Sequence, residues 1–233
     1  MKRMLVMAMA ACLCASAAWA QDGHKSGGQP NTLTSQEKQE GWTMLFDGKT
    51  MDQWDVTPAL AKVWSVVDGT IKCDASGAGG TLLTKEDFTN FVVKAEFRAH
   101  PNVNSGIILR DRRPGPVPAP GQKPTPAPGA PGYEVQIRDK NPGHYSGGDY
   151  LTGSLVNIAH APADATIIPG QWNTLEATAN GDHFVIIYNG KQVVDTHDSK
   201  RAAGAIGLQL AHPEDARDAT IEFRSLKVRR LDK

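Results

Sequence analysis

Phe91-Val92-Val93-Lys94-Ala95-Glu96-Phe97-Arg98 is the stretch that decides the fold class. Successive side chains of a strand point to opposite faces, so Phe91, Val93, Ala95 and Phe97 share one side. Val92, Lys94, Glu96 and Arg98 share the other, giving one apolar face and one largely charged face. Outward from this stretch, short alternating runs recur from Gly41 onward, broken by turn chemistry at roughly eight- to twelve-residue intervals. Val63 to Val67 runs into Asp68-Gly69 and returns through Ile71, a two-residue hairpin signal. Phe184 to Tyr188, Asn189-Gly190 and Gln192 to Asp195 form a second. Ile107 to Arg110, Tyr133 to Arg138, Ala205 to Leu210 and Thr220 to Val228 read as further strands, and only Ser35 to Glu40 has helical amphipathicity. The pattern predicts an all-β sandwich of antiparallel sheets.

The N-terminus predicts export. Lys2 and Arg3 precede an apolar run from Met4 to Ala17, and Ala18-Trp19-Ala20 supplies a small-residue cleavage site. Residues 1–20 are therefore expected to be a signal peptide, with a periplasmic or secreted product. Cys12 and Cys14 raise lipid attachment, but Met9-Ala10-Ala11 is a poor lipobox, so cleavage after Ala20 is preferred. No later segment approaches the ~18 continuous apolar residues of a membrane-spanning helix. Cleavage removes Lys2 and Arg3 and leaves 23 basic residues against 25 acidic ones, a net charge of −2. That balance gives no support to nucleic-acid binding. Cys73 is then the sole cysteine, so no internal disulfide can form.

Residues 21–38 are polar and predict a disordered leader, followed by one domain over 39–233. Within it, eight prolines between Pro114 and Pro131 exclude a ladder strand and predict a surface loop over 113–131. A tolerated insertion is the plain reading of that loop, and a flap over a cleft is the functional one.

Gly132-Tyr133-Glu134-Val135-Gln136-Ile137-Arg138 is the most informative stretch for function. Tyr133, Val135 and Ile137 are expected in the core, with Glu134, Gln136 and Arg138 on the opposite face. In the preceding strand Gly106, Ile108 and Arg110 oppose Ser105, Ile107 and Leu109; later, Gly207 and Gln209 oppose Ile206 and Leu208. If these strands are neighbours, Arg110, Glu134, Gln136 and Gln209 make a polar floor suited to a polyhydroxylated ligand. Spacing alone favours a plain solvated sheet face, since such faces are ordinary in antiparallel sheets. Gly106 weighs the other way, because a strand glycine often marks a close approach. Zinc spacings, a G-x-S-x-G elbow and phosphate- or dinucleotide-binding loops are missing from the sequence. Of the seven histidines, His212 alone follows a strand that carries a floor residue, Gln209.

The opening Gly41-Trp42-Thr43-Met44-Leu45-Phe46-Asp47-Gly48-Lys49 resembles that of the 3-keto-disaccharide hydrolase family. Trp64-Ser65-Val66-Val67-Asp68-Gly69, Asn104 to Arg110, Gly132 to Ile137, Gly170-Gln171-Trp172-Asn173, Ile206-Gly207-Leu208-Gln209 and Ile221-Glu222-Phe223-Arg224 continue the resemblance in order. It implies a concanavalin-like jelly roll that cleaves 3-keto-glycosides by elimination, some members hydrating the enone formed. A C3 ketone acidifies the C2 hydrogen, so one modest base suffices. By the same resemblance Glu134 would be that base or a metal ligand, Arg110 would stabilise enolate charge, and His212 would be an acid/base. Gln136 and Gln209 would bind hydroxyls. The resemblance is compatible with a divalent cation held by oxygen ligands such as Glu134. Gly153-Ser154-Leu155-Val156 stands where the family has Gly-x-x-Tyr, so Tyr145 or Tyr150 is expected to substitute. Tyr150 and Arg138 complete the expected substrate contacts. Three readings stay open: an enzyme on 3-keto-glycosides, a non-catalytic carbohydrate-binding module of the same fold, and a structural envelope protein.

Overall fold

The computed structural model describes residues 29–74, 80–100, 103–113, 131–138, 150–168, 170–209 and 220–231. The expected signal peptide and the prolines Pro114 to Pro128 lie outside them. A short helix, α1 (Ser35–Gln39), precedes the strands β1 (Trp42–Met44), β2 (Trp64–Val67), β3 (Thr70–Asp74), β4 (Leu82–Phe88), β5 (Phe91–Ala99) and β6 (Asn104–Asp111). Then come β7 (Tyr133–Arg138), β8 (Asn173–Asn180), β9 (His183–Tyr188), β10 (Lys191–His197), β11 (Gly204–Leu208) and β12 (Thr220–Arg230). A large antiparallel sheet has the order β10-β9-β8-β5-β12-β3-β2, with β1 also paired to β12. The small sheet has the order β4-β11-β6-β7. The predicted all-β sandwich is thus the observed architecture. No helix among the described residues is long and apolar enough to cross a membrane.

Both predicted hairpins form. Asp68 and Gly69 take φ of 47° and 73°, and Asn189 and Gly190 take 47° and 79°, the left-handed pair that a tight two-residue turn requires. Alternation in β5 also holds: Phe91, Val93, Ala95 and Phe97 are buried between the sheets. On its solvent side Lys94 pairs with Glu176, Glu96 with Arg224, and Arg98 with Glu222. The two sheets meet through aromatic contacts such as Tyr133 of β7 against Phe184 of β9, with centroids 4.3 Å apart. Cys73 is a buried free thiol.

The disordered leader expected over 21–38 is ordered at its C-terminal end. Thr34 caps α1 in a reciprocal box with Glu37, and the Glu37 carboxylate pairs with Lys227 of β12. Asn31 packs further in: its Oδ1 accepts from Ser225 N at 2.8 Å and its Nδ2 donates to Gly69 O at 2.8 Å. Low apolar content predicted disorder, but capping and side-chain-to-backbone bonds anchor this segment without apolar burial.

Candidate active site

The small sheet turns Ile107, Leu109, Tyr133, Val135, Ile137, Ile206 and Leu208 toward the core. Its other face carries Leu83, Gly207, Gly106, Ile108, Glu134 and Gln136, which sit next to core-facing residues in β4, β11, β6 and β7, and Gln209, which follows β11. The register sets two rows across this face. Leu83, Gly207, Ile108 and Glu134 are successive cross-strand partners. Beside them, Gly106 stands opposite Gln136, and Gln209 N donates to Gly106 O at 2.9 Å.

Gly106 is where the rows meet. A Cβ there would lie 2.9 Å from Val135 O, 3.1 Å from Glu134 Cγ and 3.3 Å from Glu134 Oε1. The Glu134 side chain therefore leans across the glycine toward Gln209, whose side chain hydrogen-bonds it. Burial pushes the Glu134 carboxyl above the usual carboxylate range, and the nearby Asp111 charge adds to the rise; the Gln209 bond acts in the opposite direction. Gln209 Oε1 is buried without a hydrogen-bond partner among the described protein atoms. A carboxyl raised above its ordinary range beside an unsatisfied amide oxygen can exchange a proton and accept a hydroxyl.

Gln136 and Arg138 follow Glu134 along β7 and are both buried. Gln136 Oε1 accepts from Ile137 N, and its backbone exchanges bonds with Gly153 and Ser154. Thr152 Oγ1 bonds both backbone groups of Arg138. Residues 152–156 thereby extend the small sheet beyond β7. Tyr150, which leads into this segment, stacks on His160 with centroids 4.2 Å apart and planes 5° from parallel. His212 and Tyr145 lie outside the described residues.

The structure does not bring Arg110 to this face, and the expected shared floor is corrected there. Its φ of 54° breaks the alternation of β6 and turns the guanidinium inward, 5.3 Å from the centroid of the core residue Phe184. Buried at 1% exposure, it donates to Thr89 O, Gly181 O, Arg201 O and Asn90 Oδ1. Asp111, the residue after this break, is not marked by alternation in the sequence, yet its charge bears on Glu134. Alternation also passes over Leu83 of β4. Among the described residues no group of three His, Cys, Asp or Glu side chains is placed to hold a metal ion.

This two-sheet sandwich, with a half-buried carboxylate and amide on one face, is that of a carbohydrate-active domain. The chain belongs to the 3-keto-alpha-glucoside-1,2-lyase-like domain family, whose profile matches residues 41–229. No curated protein matches it. Among solved structures it is similar to candidate glycosyl hydrolases from Parabacteroides distasonis ATCC 8503. One is 22% identical with a TM-score of 0.68, covering 88% of this chain and 100% of the other. A second is 23% identical with a TM-score of 0.61, covering 82% and 99%. At these identities the likeness establishes the shared fold.

Proposed function

We propose that this domain cleaves 3-keto-glycosides by β-elimination, with Glu134 as the base. The observation that carries the proposal is the half-buried Glu134 carboxylate lying across Gly106 against Gln209, on a face of the family's fold. The ionised carboxylate removes the C2 proton, whose acidity the C3 ketone supplies. The C2 electron pair forms the C1–C2 double bond, and the C1–oxygen bond breaks to release the aglycone. The departing oxygen takes a proton from an acid, a role His212 would fill. Water then adds to the unsaturated sugar to give a free 3-keto sugar, so the sum is hydrolysis.

Glu134 is suited to this task because a raised carboxyl, once ionised, is a stronger base than an exposed one. Gln209 holds its orientation, and the unpartnered Gln209 Oε1 is positioned to accept from a sugar hydroxyl. Gln136 and Arg138 of β7, with Tyr150 ahead of the neighbouring 152–156 segment, border the sugar. Residues 1–20 would export the enzyme to the periplasm or beyond it.

The test is incubation with a 3-keto-glucoside and with the matching ordinary glucoside. Aglycone release from the keto substrate alone, abolished in Glu134→Gln, is the expected result. Tight sugar binding with no release from either substrate would instead identify a carbohydrate-binding module.

A further inference from the structure

The cross-strand row that ends at Glu134 begins at Leu83, and Leu83 lines an open cleft of about 770 Å³ with Met51, Val56 and Leu60. Three inter-strand steps separate Leu83 from Glu134, about 14 Å at the usual spacing of neighbouring strands. The floor between them is closed and apolar. A Cβ at Gly207 would lie 2.5 Å from Thr81 Cγ2, 3.1 Å from Leu83 Cδ2 and 3.3 Å from Ile108 Cβ. Carbon atoms of Thr81, of Leu83 in β4 and of Ile108 in β6 therefore converge over the glycine.

Of the charges that line the cleft, Arg113 and Asp55 are engaged with one another, while Asp52 and Lys85 stand exposed at its rim. Arg113 donates to Asp55 Oδ2 at 2.5 Å, to Asp87 Oδ1 at 2.8 Å, and to the carbonyls of Thr84 and Lys85. A guanidinium so occupied has little left to offer a ligand. Between these charged residues the cleft presents hydrocarbon, chiefly Met51 and Val56, the latter 37% exposed despite its size.

We propose that this row and cleft are the seat of the leaving half of the substrate, and that they select an uncharged, apolar or aromatic aglycone over a second sugar. The proposal rests on the keto-glycoside reading above. With the 3-keto ring over Gly106, Glu134 and Gln209, the aglycone lies across Ile108 and Gly207 toward Leu83 and Val56. Burial of an apolar group there favours binding through area removed from water, whereas a glucosyl group would leave its hydroxyls facing Leu83 and Ile108 unpaired.

The experiment compares kcat/KM for phenyl 3-keto-glucoside, methyl 3-keto-glucoside and a 3-keto-disaccharide. The phenyl compound should exceed each of the other two by at least about 10-fold. In Val56→Asp, and separately in Leu83→Asn, the phenyl-to-methyl ratio should fall to near one. Equal rates in the wild type, preference for the disaccharide, or an unchanged ratio in both variants would overturn the proposal. A second readout keeps it separate from the catalytic reading: calorimetric binding of the phenyl and methyl compounds to Glu134→Gln, with and without Val56→Asp. Tighter phenyl binding, lost on adding Val56→Asp, supports the subsite even where turnover fails. Equal binding of the two compounds sinks it even where turnover succeeds.

Discussion

Glu134 lies across Gly106, with its Oε1 3.3 Å from where a Cβ of that residue would stand. The carboxylate can reach Gln209 only because the strand between them carries no side chain. In Gly106→Ala the new methyl would also stand 2.9 Å from Val135 O, so backbone as well as side chain must shift. We expect turnover of a 3-keto-glucoside to fall about 100-fold, as a displacement near 1 Å does to a positioned group. The destabilisation should stay near 1–3 kcal/mol, typical of overpacking. Kinetics and thermal unfolding of the same preparation check this, and full activity in the variant would contradict the geometry.

Arg110 should behave as a staple. Its guanidinium satisfies three backbone carbonyls from separate loops, at Thr89, Gly181 and Arg201. Arg110→Ala strands those acceptors, at about 1–3 kcal/mol for each one left unsatisfied. Arg110→Lys keeps the charge but not the forked geometry, so it should also lower the unfolding midpoint. The informative outcome is the split between stability and rate. We expect folded Arg110→Lys protein to retain most of its kcat. Unchanged stability with lost kcat would return Arg110 to the substrate.

That contrast shows what the sequence could and could not reveal. Dipeptides such as Asp68-Gly69 and Asn189-Gly190 encode their turns locally, because few residues tolerate the required φ, and both hairpins were legible. Alternation placed Glu134, Gln136 and Gln209 on one face correctly. It failed two residues past Ile108, because nothing in Leu109-Arg110-Asp111 announces a residue with φ of 54°. β8 was overlooked since its buried positions after Leu175 are Ala177 and Ala179, too small to mark a face. β4 was overlooked because Lys85, Glu86 and Asp87 run consecutively. The adjacency of β6 to both β7 and β11 joins residues about a hundred positions apart, and only tertiary packing determines it.

The segment before the first strand carries its own prediction. Asn31 bonds Ser225 N and Gly69 O through its side chain, beside the register shift between Arg224 and Lys227 in β12. Its φ of 59° is one that asparagine tolerates better than most residues. Asn31→Ala loses both bonds and should cost about 1–2 kcal/mol. For a domain of this size that lowers the unfolding midpoint by roughly 2–8 °C. Asn31→Ser, short but still polar, should recover only part of it. No change in either variant would mean that residues 29–34 do not contribute to the folded domain.

Glu134 also predicts opposite pH responses for rate and stability. Its folded carboxyl titrates above the ordinary value of 4.5, chiefly through burial. Between 4.5 and that raised value the folded chain binds more protons than the unfolded one. Stability from this group is therefore complete below 4.5 and lost as pH rises through the folded value. Asp47 works the other way, since the N–H groups of Thr50 and Lys49 hold its carboxyl low. Wild type and Glu134→Gln share that contribution, so the difference between them isolates Glu134. The midpoint of Glu134→Gln minus that of wild type should rise with pH above 4.5 and stay level below it. The base acts only when ionised, so the acid limb of kcat/KM must also lie above 4.5. Thermal unfolding scans and rate measurements at matched pH check both halves. A flat stability difference, or an acid limb at or below 4.5, would detach Glu134 from the chemistry assigned to it.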